Sequence, residues 1–521
     1  MAKPDVEEQL RLDSATVWDD APGIPPWAYE FHRHIYQAID VSCLASMYEE
    51  GGRKPINPRL LASITILQFM HKVSDREAVD NTLLRRDWRV ALGLPSDYER
   101  FHPTVLVRFR QRLIDAGLEK ALFGAVLAEA RRLGMLRGRR RLRVDATKLL
   151  ADVSVLSRGD MIRETLRVAV CELAKVAPEL EGEAEFERLF DRYGEEIWLG
   201  RVAGESGLVT LAEDGYALLA LCEGRAMAKS ALLRQVLSEH FVVEEGAVQP
   251  REPGTMSPDR VRSPHDPDVR LGRKRMFKWL GEQVHVVETA DEDLNVVVGV
   301  LVTDPRREDS TVLGEARAAG LAAVPEADRL LADTGYASAA NSLESEKLGV
   351  TLVSPPRLNT RQKGFGPSRF EIEFATKTAR CPAGHERAMW SVRKDGSVAI
   401  RWRDTACAAC PLRDQCTTSK SGRRLHLSPH WERLEAERAQ ALGDEFREEY
   451  RHRAGVETTM SELVRRHGLR RSRYRTAPGR QLHAILSVTA LNAKRMIRWI
   501  LTPNTEAIVA RRLTEAGAAC G

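Results

Sequence analysis

Residues 141–149 read RLRVDATKL and carry the first strong strand signal of the chain. A basic run leads into this segment, with arginines at 137, 139, 140, 141 and 143. Asp145 interrupts the predicted strand at its middle. Its position in the middle of an apolar strand makes this aspartate a candidate functional residue.

Four further strands are predicted downstream, at 283–290, 295–304, 329–336 and 350–355, with helices at about 310–320 and 338–347. QVHVVETA alternates apolar and polar residues, which predicts a half-buried edge strand. NVVVGVLVTD is almost continuously apolar, which predicts a fully buried central strand. The order of strands and helices predicts a mixed sheet flanked by helices, an α/β fold.

The region before the first strand has a helical pattern from about residue 55 to residue 134. The run SDRE at 74–77 offers Ser74 as N-cap and Glu77 as its reciprocal partner, a capping box. Another helix is expected to start near His102 and to carry Arg108, Arg110 and Arg112. Short helices with tight turns fit a helix-turn-helix-like DNA-binding bundle, and an ordinary helical domain is the alternative.

A length of 521 residues predicts three or four structural units. Residues 1–40 contain Pro22, Pro25 and Pro26 with little periodicity, and we expect a loosely held arm there. We predict a helical domain at 41–134, a mixed α/β core at 135–149 and 256–355, a helical insertion at 150–255, a cysteine-rich insertion at 356–425, the C-terminal part of the core at 426–500 and a tail at 501–521.

Composition excludes several classes of protein. The chain is 43% hydrophobic and 29% charged, as soluble globular proteins are, and its net charge of +5 does not by itself predict a nucleic-acid partner. The best apolar runs, near 62–70 and 483–493, are far shorter than the ~20 residues of a membrane span. The acidic first thirty residues lack an apolar export signal, so we expect a cytoplasmic protein without a membrane partner.

Four of the eight cysteines fall within 36 residues, at Cys381, Cys407, Cys410 and Cys416. In a chain without an export signal this cluster favours a metal site over disulfides. Four thiolates, two of them spaced C-x2-C, form the set that a structural Zn²⁺ prefers, in a small zinc-ribbon-like insertion. His385 could replace one thiolate, and metal-free cysteines are the alternative. The cysteines at 43, 171, 222 and 520 are interpreted as incidental thiols.

Three carboxylates stand out by their positions in the predicted elements. Asp145 lies inside a strand, Asp333 ends another strand before Thr334 and Gly335, and Glu457 lies on a helix over 446–466 beside its apolar stripe. If the two strands are neighbours, these oxygen ligands suit Mg²⁺ or Mn²⁺ and would hold two ions for phosphoryl displacement. Taken singly, each has a structural alternative: the aspartates as turn or cap residues, and Glu457 as the partner of Arg453 one turn away.

Three segments resemble the catalytic blocks of the DDE transposases of bacterial insertion sequences. They are VDATK at 144–148, LLADTGYAS at 330–338 and YRHRAGVETTMSELVRRHGLRRSRYR at 450–475. The helical block at 51–113 is similar to the N-terminal domain of that family, so the resemblance covers roughly residues 45–500. It implies an RNase H-like core behind a helical N-terminal domain, and it supports a small metal-binding insertion before the Glu457 helix.

By this resemblance Asp145, Asp333 and Glu457 match the three catalytic acids, and Tyr450 and Arg453 match the tyrosine and arginine of the last block. Val464 stands where the family commonly has lysine, and Arg465 or Arg466 would substitute for it. The resemblance implies a Mg²⁺-dependent DNA transposase that binds terminal inverted repeats, cleaves DNA and joins 3′ ends to target DNA. It also implies a homodimer or higher assembly on double-stranded DNA, in the nucleoid of the bacterial cytoplasm.

The segment from Arg465 to Arg480 contains seven arginines and no acidic residue. We interpret it as a track for the DNA backbone, because arginine binds phosphate bidentately and releases counterions. A solvated surface is the alternative. The DNA-contacting residues we predict are Tyr450, Arg453, Arg465, Arg466, Arg470, Arg471, Arg473 and Arg475. The basic segment at 270–279 would add phosphate contacts or form an exposed loop.

Two other functions share this sequence pattern. The chain could be a catalytically inactive or co-opted DNA-binding protein, or an RNase H-like nuclease without strand transfer. Metal-dependent cleavage that is lost in Asp145→Ala excludes the first, and joining of the cut ends excludes the second.

Overall fold

A computed structural model describes residues 23–48, 55–95, 97–195, 204–274, 276–291, 293–356, 365–386, 389–402 and 404–518. Its largest sheet has six strands: β1 (Arg141–Leu150), β4 (Arg270–Lys274), β5 (Phe277–Thr289), β6 (Val297–Thr303), β7 (Arg329–Leu331) and β8 (Thr351–Val353). The order is β4-β5-β1-β7-β8, and β6 also pairs with β5. β1, β7 and β8 run parallel and the other pairs are antiparallel. The sheet is therefore mixed, as predicted.

The relative positions of β5 and β6 correct the sequence-based prediction. β5 was expected at an edge, yet it pairs with β1, β4 and β6. β6 was expected at the centre, yet within the described strands it pairs with β5. Helices that pack against β6 keep most of its residues buried. A continuous apolar run therefore indicates that both faces of a strand are buried. It does not indicate how many strands pair with it.

The helices before β1 are short and mostly joined by tight turns. They are α1 (Pro26–Phe31), a π-helix (His32–Tyr36), α2 (Val41–Ala45), α3 (Pro58–His71), α4 (Asp75–Leu84), α5 (Arg86–Leu92), α6 (Thr104–Asp115) and α7 (Ala121–Arg132). The capping box is present: Glu77 N donates to Ser74 Oγ and Ser74 N donates to the Glu77 carboxylate.

The expectation of a loosely held arm is wrong for residues 26–40. Ala28, Phe31, Ile35 and Ile39 are all buried in the main hydrophobic core. These positions have the three- and four-residue spacing of a helix face, so the apolar pattern outweighs the prolines before it. Residues 1–22 lie outside the described part of the chain.

Helices also dominate the segment between β1 and β4, with α8 (Arg158–Val176), α9 (Ala184–Tyr193), α10 (Gly204–Leu221), α11 (Ala228–His240) and a hairpin of β2 (Phe241–Glu244) and β3 (Ala247–Pro250). The sequence reading missed this hairpin. The segment has its own apolar cluster, which includes Ile162, Leu189 and Leu233. Between the sheet strands lie α12 (Asp309–Ala323) and α13 (Ala339–Glu346).

The rest of the chain combines small sheets with long helices. The elements are β9 (Glu371–Glu373), β10 (Thr378–Arg380), β11 (Met389–Val392), β12 (Val398–Arg401), α14 (Asp404–Ala408), α15 (Arg413–Cys416), β13 (Arg424–Leu427), α16 (Trp431–Gln440), α17 (Asp444–Tyr450), α18 (Gly455–Arg466), α19 (Ala477–Ile500) and α20 (Thr505–Ala518). α19 packs against α3, α7 and β6, which ties the N-terminal helices to the sheet.

None of the described helices has the length and apolar character needed to cross a membrane.

Candidate functional site

The parallel pairing of β1 with β7 brings two predicted acids to one edge of the sheet. Arg143 is aligned with Leu331 in the last pair of this ladder. Asp145 lies two residues beyond Arg143, and Asp333 lies two residues beyond Leu331. Because both strands advance by the same rise per residue, the two aspartates leave the ladder at the same level. The two strands are thus neighbours, which is the condition that the sequence prediction set.

A tight turn fixes the backbone of Asp333. Gly335 N donates to Asp333 Oδ1 over 2.8 Å, and Tyr336 N donates to the Asp333 carbonyl over 3.1 Å. Ser354 Oγ donates to the same carbonyl over 2.8 Å. These bonds hold the carboxylate in one orientation at the end of β7.

Glu457 reaches the same region from α18. The helix predicted over 446–466 is interrupted: α17 ends at Tyr450, a 3-10 turn spans Arg451–Ala454, and α18 begins at Gly455. The predicted stripe of Val456, Met460 and Leu463 is buried, while 71% of the Glu457 side chain is exposed. Glu457 therefore lies in the first turn of a helix that packs against the sheet and leaves its carboxylate at the surface.

A buried ionic network fixes α18 on the sheet. Glu288 of β5 is fully buried. Its Oε1 accepts a hydrogen bond from Arg143 Nε over 2.7 Å. Its Oε2 accepts hydrogen bonds from Thr459 Oγ1 over 2.8 Å and from Arg495 Nη1 over 3.0 Å. Arg143 Nη1 also donates to the carbonyl of His452 over 2.6 Å. Two cations and a hydroxyl thus satisfy one buried carboxylate, which makes the burial of these charges tolerable.

Gly455 makes this close approach possible. A Cβ at this position would stand 2.3 Å from Nη1 of Arg143, so a side chain would displace the guanidinium that links β1 to the start of α18. Glycine is required here by space and not by backbone angle, since its φ is −62°.

Arg453 lies between two of the three acids. Its Nη2 is 3.3 Å from Asp145 Oδ2 and its Nη1 is 3.3 Å from Glu457 Oε1. Both this guanidinium and the Asp145 carboxylate are largely buried, with 14% and 17% of their side chains exposed. A single cation therefore already connects carboxylates that come from β1 and α18.

Burial is the largest influence on the pKa of Asp145, and a neighbouring carboxylate adds to it. Burial raises the pKa of Asp145 above its ordinary value, and the neighbouring Asp333 raises it further. The hydrogen bond from Ala146 N and the charge of Arg453 act in the opposite direction and lower the pKa of Asp145. A positive charge near Asp145 and Asp333 is thus favourable.

A buried hydrogen-bonded chain lies behind the aspartates. The Thr303 hydroxyl donates to the Gln283 carbonyl over 3.4 Å and so accepts from Nε2–H of His285 over 3.1 Å. His285 Nδ1 then accepts the hydroxyl proton of Tyr336 over 2.7 Å. Burial lowers the pKa of His285 to about 4 and raises the pKa of Tyr336, so both are neutral at physiological pH.

The acids offer the donor chemistry of a divalent metal site. Among the described residues, no group of three or more His, Cys, Asp or Glu side chains is already arranged to hold a metal ion. Two observations nevertheless fit a cation here. The first is that the guanidinium of Arg453 already places a positive charge between Asp145 and Glu457. The second is that a Cβ on Gly335 would meet carboxylate oxygens of both Asp309 and Asp333 within 3 Å.

The predicted arginine track is only partly available at the surface. Arg465, Arg466, Arg471, Arg473 and Arg475 are exposed, and Arg470 is half-buried. The segment runs beside the end of β1, where Leu150 N donates to the Arg470 carbonyl and Ser472 N donates to the Leu150 carbonyl. Arg475 Nε lies 3.8 Å from the Asp152 carboxylate, and Arg473 Nη1 donates to the Val73 carbonyl.

Arg480 does not belong to the track. It is fully buried, and its guanidinium contacts the carboxylates of Asp266 and Glu282. The segment itself contains no acidic residue, but the partners of Arg480 come from distant parts of the chain. Arg110 of α6 is likewise buried and paired with Asp75 over 2.7 Å, which leaves Arg108 exposed on that helix.

The four clustered cysteines line one small cavity of about 20 Å³ together with His385. Burial raises the pKa of the Cys416 thiol, and the nearby sulfurs of Cys407, Cys381 and Cys410 raise it further. Arg423 N donates to Cys407 Sγ over 3.4 Å. A cavity of this size has room for about one water-sized occupant.

Sequence reasoning missed several residues that position the site: Arg143, Glu288, Thr459, Arg495 and Gly455. Glu288 carried a signal, because it is the one acidic residue in the predicted strand QVHVVETA. Its partners had none, since they become neighbours only when α18 and α19 pack on the sheet.

Two family models match parts of the chain. Residues 380–497 match the transposase DDE domain, and residues 26–112 match the transposase domain (DUF772). The first match includes Glu457 and the arginine track, while Asp145 and Asp333 lie outside both matches. No curated protein matches the chain. A piggyBac transposase in a synaptic complex with hairpin DNA is 9% identical, the alignment covers 94% of this chain and 84% of that chain, and the TM-score is 0.27.

Proposed function

The chain belongs to the DDE-type insertion-sequence transposases, and we propose from this premise that it binds the ends of its own element, cleaves phosphodiester bonds with a divalent metal and transfers the 3′ ends to target DNA. The core that would do this chemistry is proposed to be RNase H-like, at 135–149, 256–355 and 426–500. The helical region at 41–134 would bind the terminal repeats.

One observation carries the proposal. Arg453 contacts Asp145 and Glu457 at the same distance of 3.3 Å, and Asp333 is near enough to raise the pKa of Asp145. Arg453 thus links carboxylates from β1 and α18, and Asp333, in the turn after β7, lies close to the first of them. The Arg453–Glu457 contact alone is the ion pair one turn apart that the structural alternative predicts; the approach of Asp145 to the same guanidinium is what that alternative does not explain.

Asp145, Asp333 and Glu457 would hold Mg²⁺ or Mn²⁺, because their oxygen donors suit hard divalent cations. When bound, the metal supplies charge stabilisation for in-line displacement at phosphorus. The protein supplies the orientation of its acids. The turn at Gly335 and Tyr336 fixes Asp333, and the Glu288 network fixes the helix that carries Glu457.

Positively charged side chains near the acids would position the DNA backbone. Arg465, Arg466, Arg471, Arg473 and Arg475 offer exposed guanidinium groups for phosphate contacts, with Arg470 beside them. Arg453 would exchange its carboxylate partners for a phosphate when the acids bind metal. Tyr450 stacks on Phe446 with ring centroids 5.4 Å apart, which holds its phenol beside Asp145 and Asp333.

The cysteine cavity is proposed to hold a structural Zn²⁺ through Cys381, Cys407, Cys410 and Cys416. The converging sulfurs and the cavity of about 20 Å³ support this. Thiolates in a closed tetrahedral set suit zinc, which would brace an insertion at 356–425 whose described residues form a small apolar cluster. Because two element ends must be processed together, the active form is proposed to be a dimer or larger assembly on double-stranded DNA.

The test uses a DNA fragment that holds the gene and both flanks. Purified protein and its Glu457→Gln variant are incubated with this fragment and Mg²⁺ or Mn²⁺, and every broken and joined strand is mapped. Breaks at matched inverted ends, followed by joining and absent in the variant, are the expected result. Binding without cleavage would instead identify an inactive DNA-binding protein, and scattered cleavage without joining would identify a nuclease.

A further inference from the structure

A fourth carboxylate lies beside Asp333. Asp309 is the first residue of α12, the helix that follows β6. A Cβ on Gly335 would stand 2.7 Å from Oδ2 of Asp309 and 2.9 Å from Oδ1 of Asp333. Two carboxylate oxygens from different elements therefore lie beside the same point of the backbone, and a side chain at position 335 would collide with both.

The orientation of Asp309 is fixed by β5. Gln283 Nε2 donates to Asp309 Oδ1 over 2.5 Å, so the other oxygen, Oδ2, is the one that faces Asp333. Gln283 is paired with Lys148 of β1 and with Thr303 of β6, which places it in the interior of the sheet. A rigid strand thus holds this carboxylate in position.

Asp309 and Asp333 are like charges whose oxygens Oδ2 and Oδ1 both lie within 3 Å of the Cβ position of Gly335. Carboxylates this close repel each other unless a proton or a cation lies between them.

A role at the helix start alone does not explain this arrangement. An acid in the first turn stabilises a helix through its dipole, and an exposed side chain is sufficient for that. Glu308, the neighbouring N-cap residue, is such an exposed acid. Asp309 differs because its carboxylate is turned inward to Gln283 and Asp333.

We propose that Asp309 supplies a further carboxylate to the divalent-metal site, beside Asp145 and Asp333. This inference rests on the proposed function, since it assumes that the acids bind metal. It extends the set of metal-facing residues from the three that the sequence identifies to four.

The test measures metal binding without DNA and without catalysis. Mn²⁺ is titrated into the full-length protein, and free Mn²⁺ is followed by its electron paramagnetic resonance signal. Asp309→Asn is expected to weaken Mn²⁺ binding by about tenfold or more, as loss of a metal-site partner commonly does. The matched control, Glu308→Gln, removes one exposed acid from the same helix start and should change binding by less than about twofold.

The other variants separate this inference from the proposed function. If Asp309→Asn binds Mn²⁺ like the wild type while Asp333→Asn does not, Asp309 is a helix-start residue and only this inference fails. If Asp145→Asn, Asp333→Asn and Glu457→Gln all bind Mn²⁺ like the wild type, the proposed metal site itself is wrong. Should Asp309→Asn lose its cooperative unfolding transition, Asp309→Ser, which keeps a short polar residue at the helix start, is measured in its place with the same expectation.

Discussion

The carboxylate site and the cysteine cavity are assembled in different ways. The carboxylates of residues 145, 333 and 457 are brought into one region only because β1, β7 and α18 pack together. The four clustered cysteines all lie between residues 381 and 416 and line one small cavity. The first site depends on the fold of the core, whereas the second depends on local loops and, as proposed, on zinc. A substitution that destabilises the packing of the core should therefore disrupt the carboxylate site and leave the cysteine cavity intact.

The largest expected effect comes from the buried network that holds α18. Glu288→Ala leaves the guanidinium groups of Arg143 and Arg495 buried without their carboxylate. We expect a loss of about 3–5 kcal/mol in the free energy of unfolding, measured by urea denaturation. Glu344→Ala, which removes an exposed partner of Lys347, should cost less than about 1 kcal/mol. Equal effects of the two variants would contradict the claim that the network holds the site.

The second prediction concerns the cysteine cavity. Cys410→Ser should weaken zinc binding on the order of 10–100-fold, because one of four thiolates is lost. Zinc released to a colorimetric chelator measures this. Cys43→Ser, at a cysteine far from the cavity in sequence, should leave zinc binding unchanged. If Glu288→Ala loses zinc as readily as Cys410→Ser does, the two sites are not independent.

A third prediction tests whether Arg453 competes with metal. Arg453→Gln removes the cation that contacts Asp145 and Glu457, so Mn²⁺ should bind the DNA-free variant more tightly. An ion pair of about 1 kcal/mol corresponds to a gain of about fivefold. Arg451→Gln is the matched control, since it pairs with Glu448 at the surface. Weaker Mn²⁺ binding by Arg453→Gln would mean that the arginine supports the metal site instead of competing for it.

The smallest effect is the pH dependence of Asp145. Its pKa is raised in the folded protein, so its contribution to stability is fully present below the pKa of the unfolded chain and is lost as pH rises through the folded pKa. Asp145→Asn should therefore raise the thermal unfolding midpoint of the metal-free protein at pH 8 and have little effect at pH 4. A larger gain at pH 4 than at pH 8 would have the wrong sign.

The sequence predicted the elements of the sheet better than their arrangement. RLRVDATKL forms β1, and the four later strands all exist, although β7 is only Arg329–Leu331. The inner position of β5 and the outer position of β6 were not predictable from their own residues, because strand pairing depends on which strands lie beside them. The burial of Phe31 and Ile35 was readable from their spacing, but the nearby prolines led to the opposite prediction.

The residues of the candidate site likewise fall into those that the sequence predicted and one that it did not. Asp145, Asp333 and Glu457 could be named from their positions and from the resemblance to a family. Asp309 could not, because nothing around it in the sequence distinguishes it from Glu308; only its contact with Gln283 and its position beside Gly335 do so.

The sequence by itself determined features that depend on residues a few positions apart: the capping box of Ser74 and Glu77, the strand around Asp145 and the cysteine cluster. Hydrogen bonds and hydrophobic periodicity over one or two turns are sufficient to specify these. Only the tertiary structure decided which arginines are exposed, which strand is central and which acid Arg143 neutralises. Burial and charge pairing in a core depend on groups that are far apart in the chain, so their free energies are fixed only when the strands and helices have packed together.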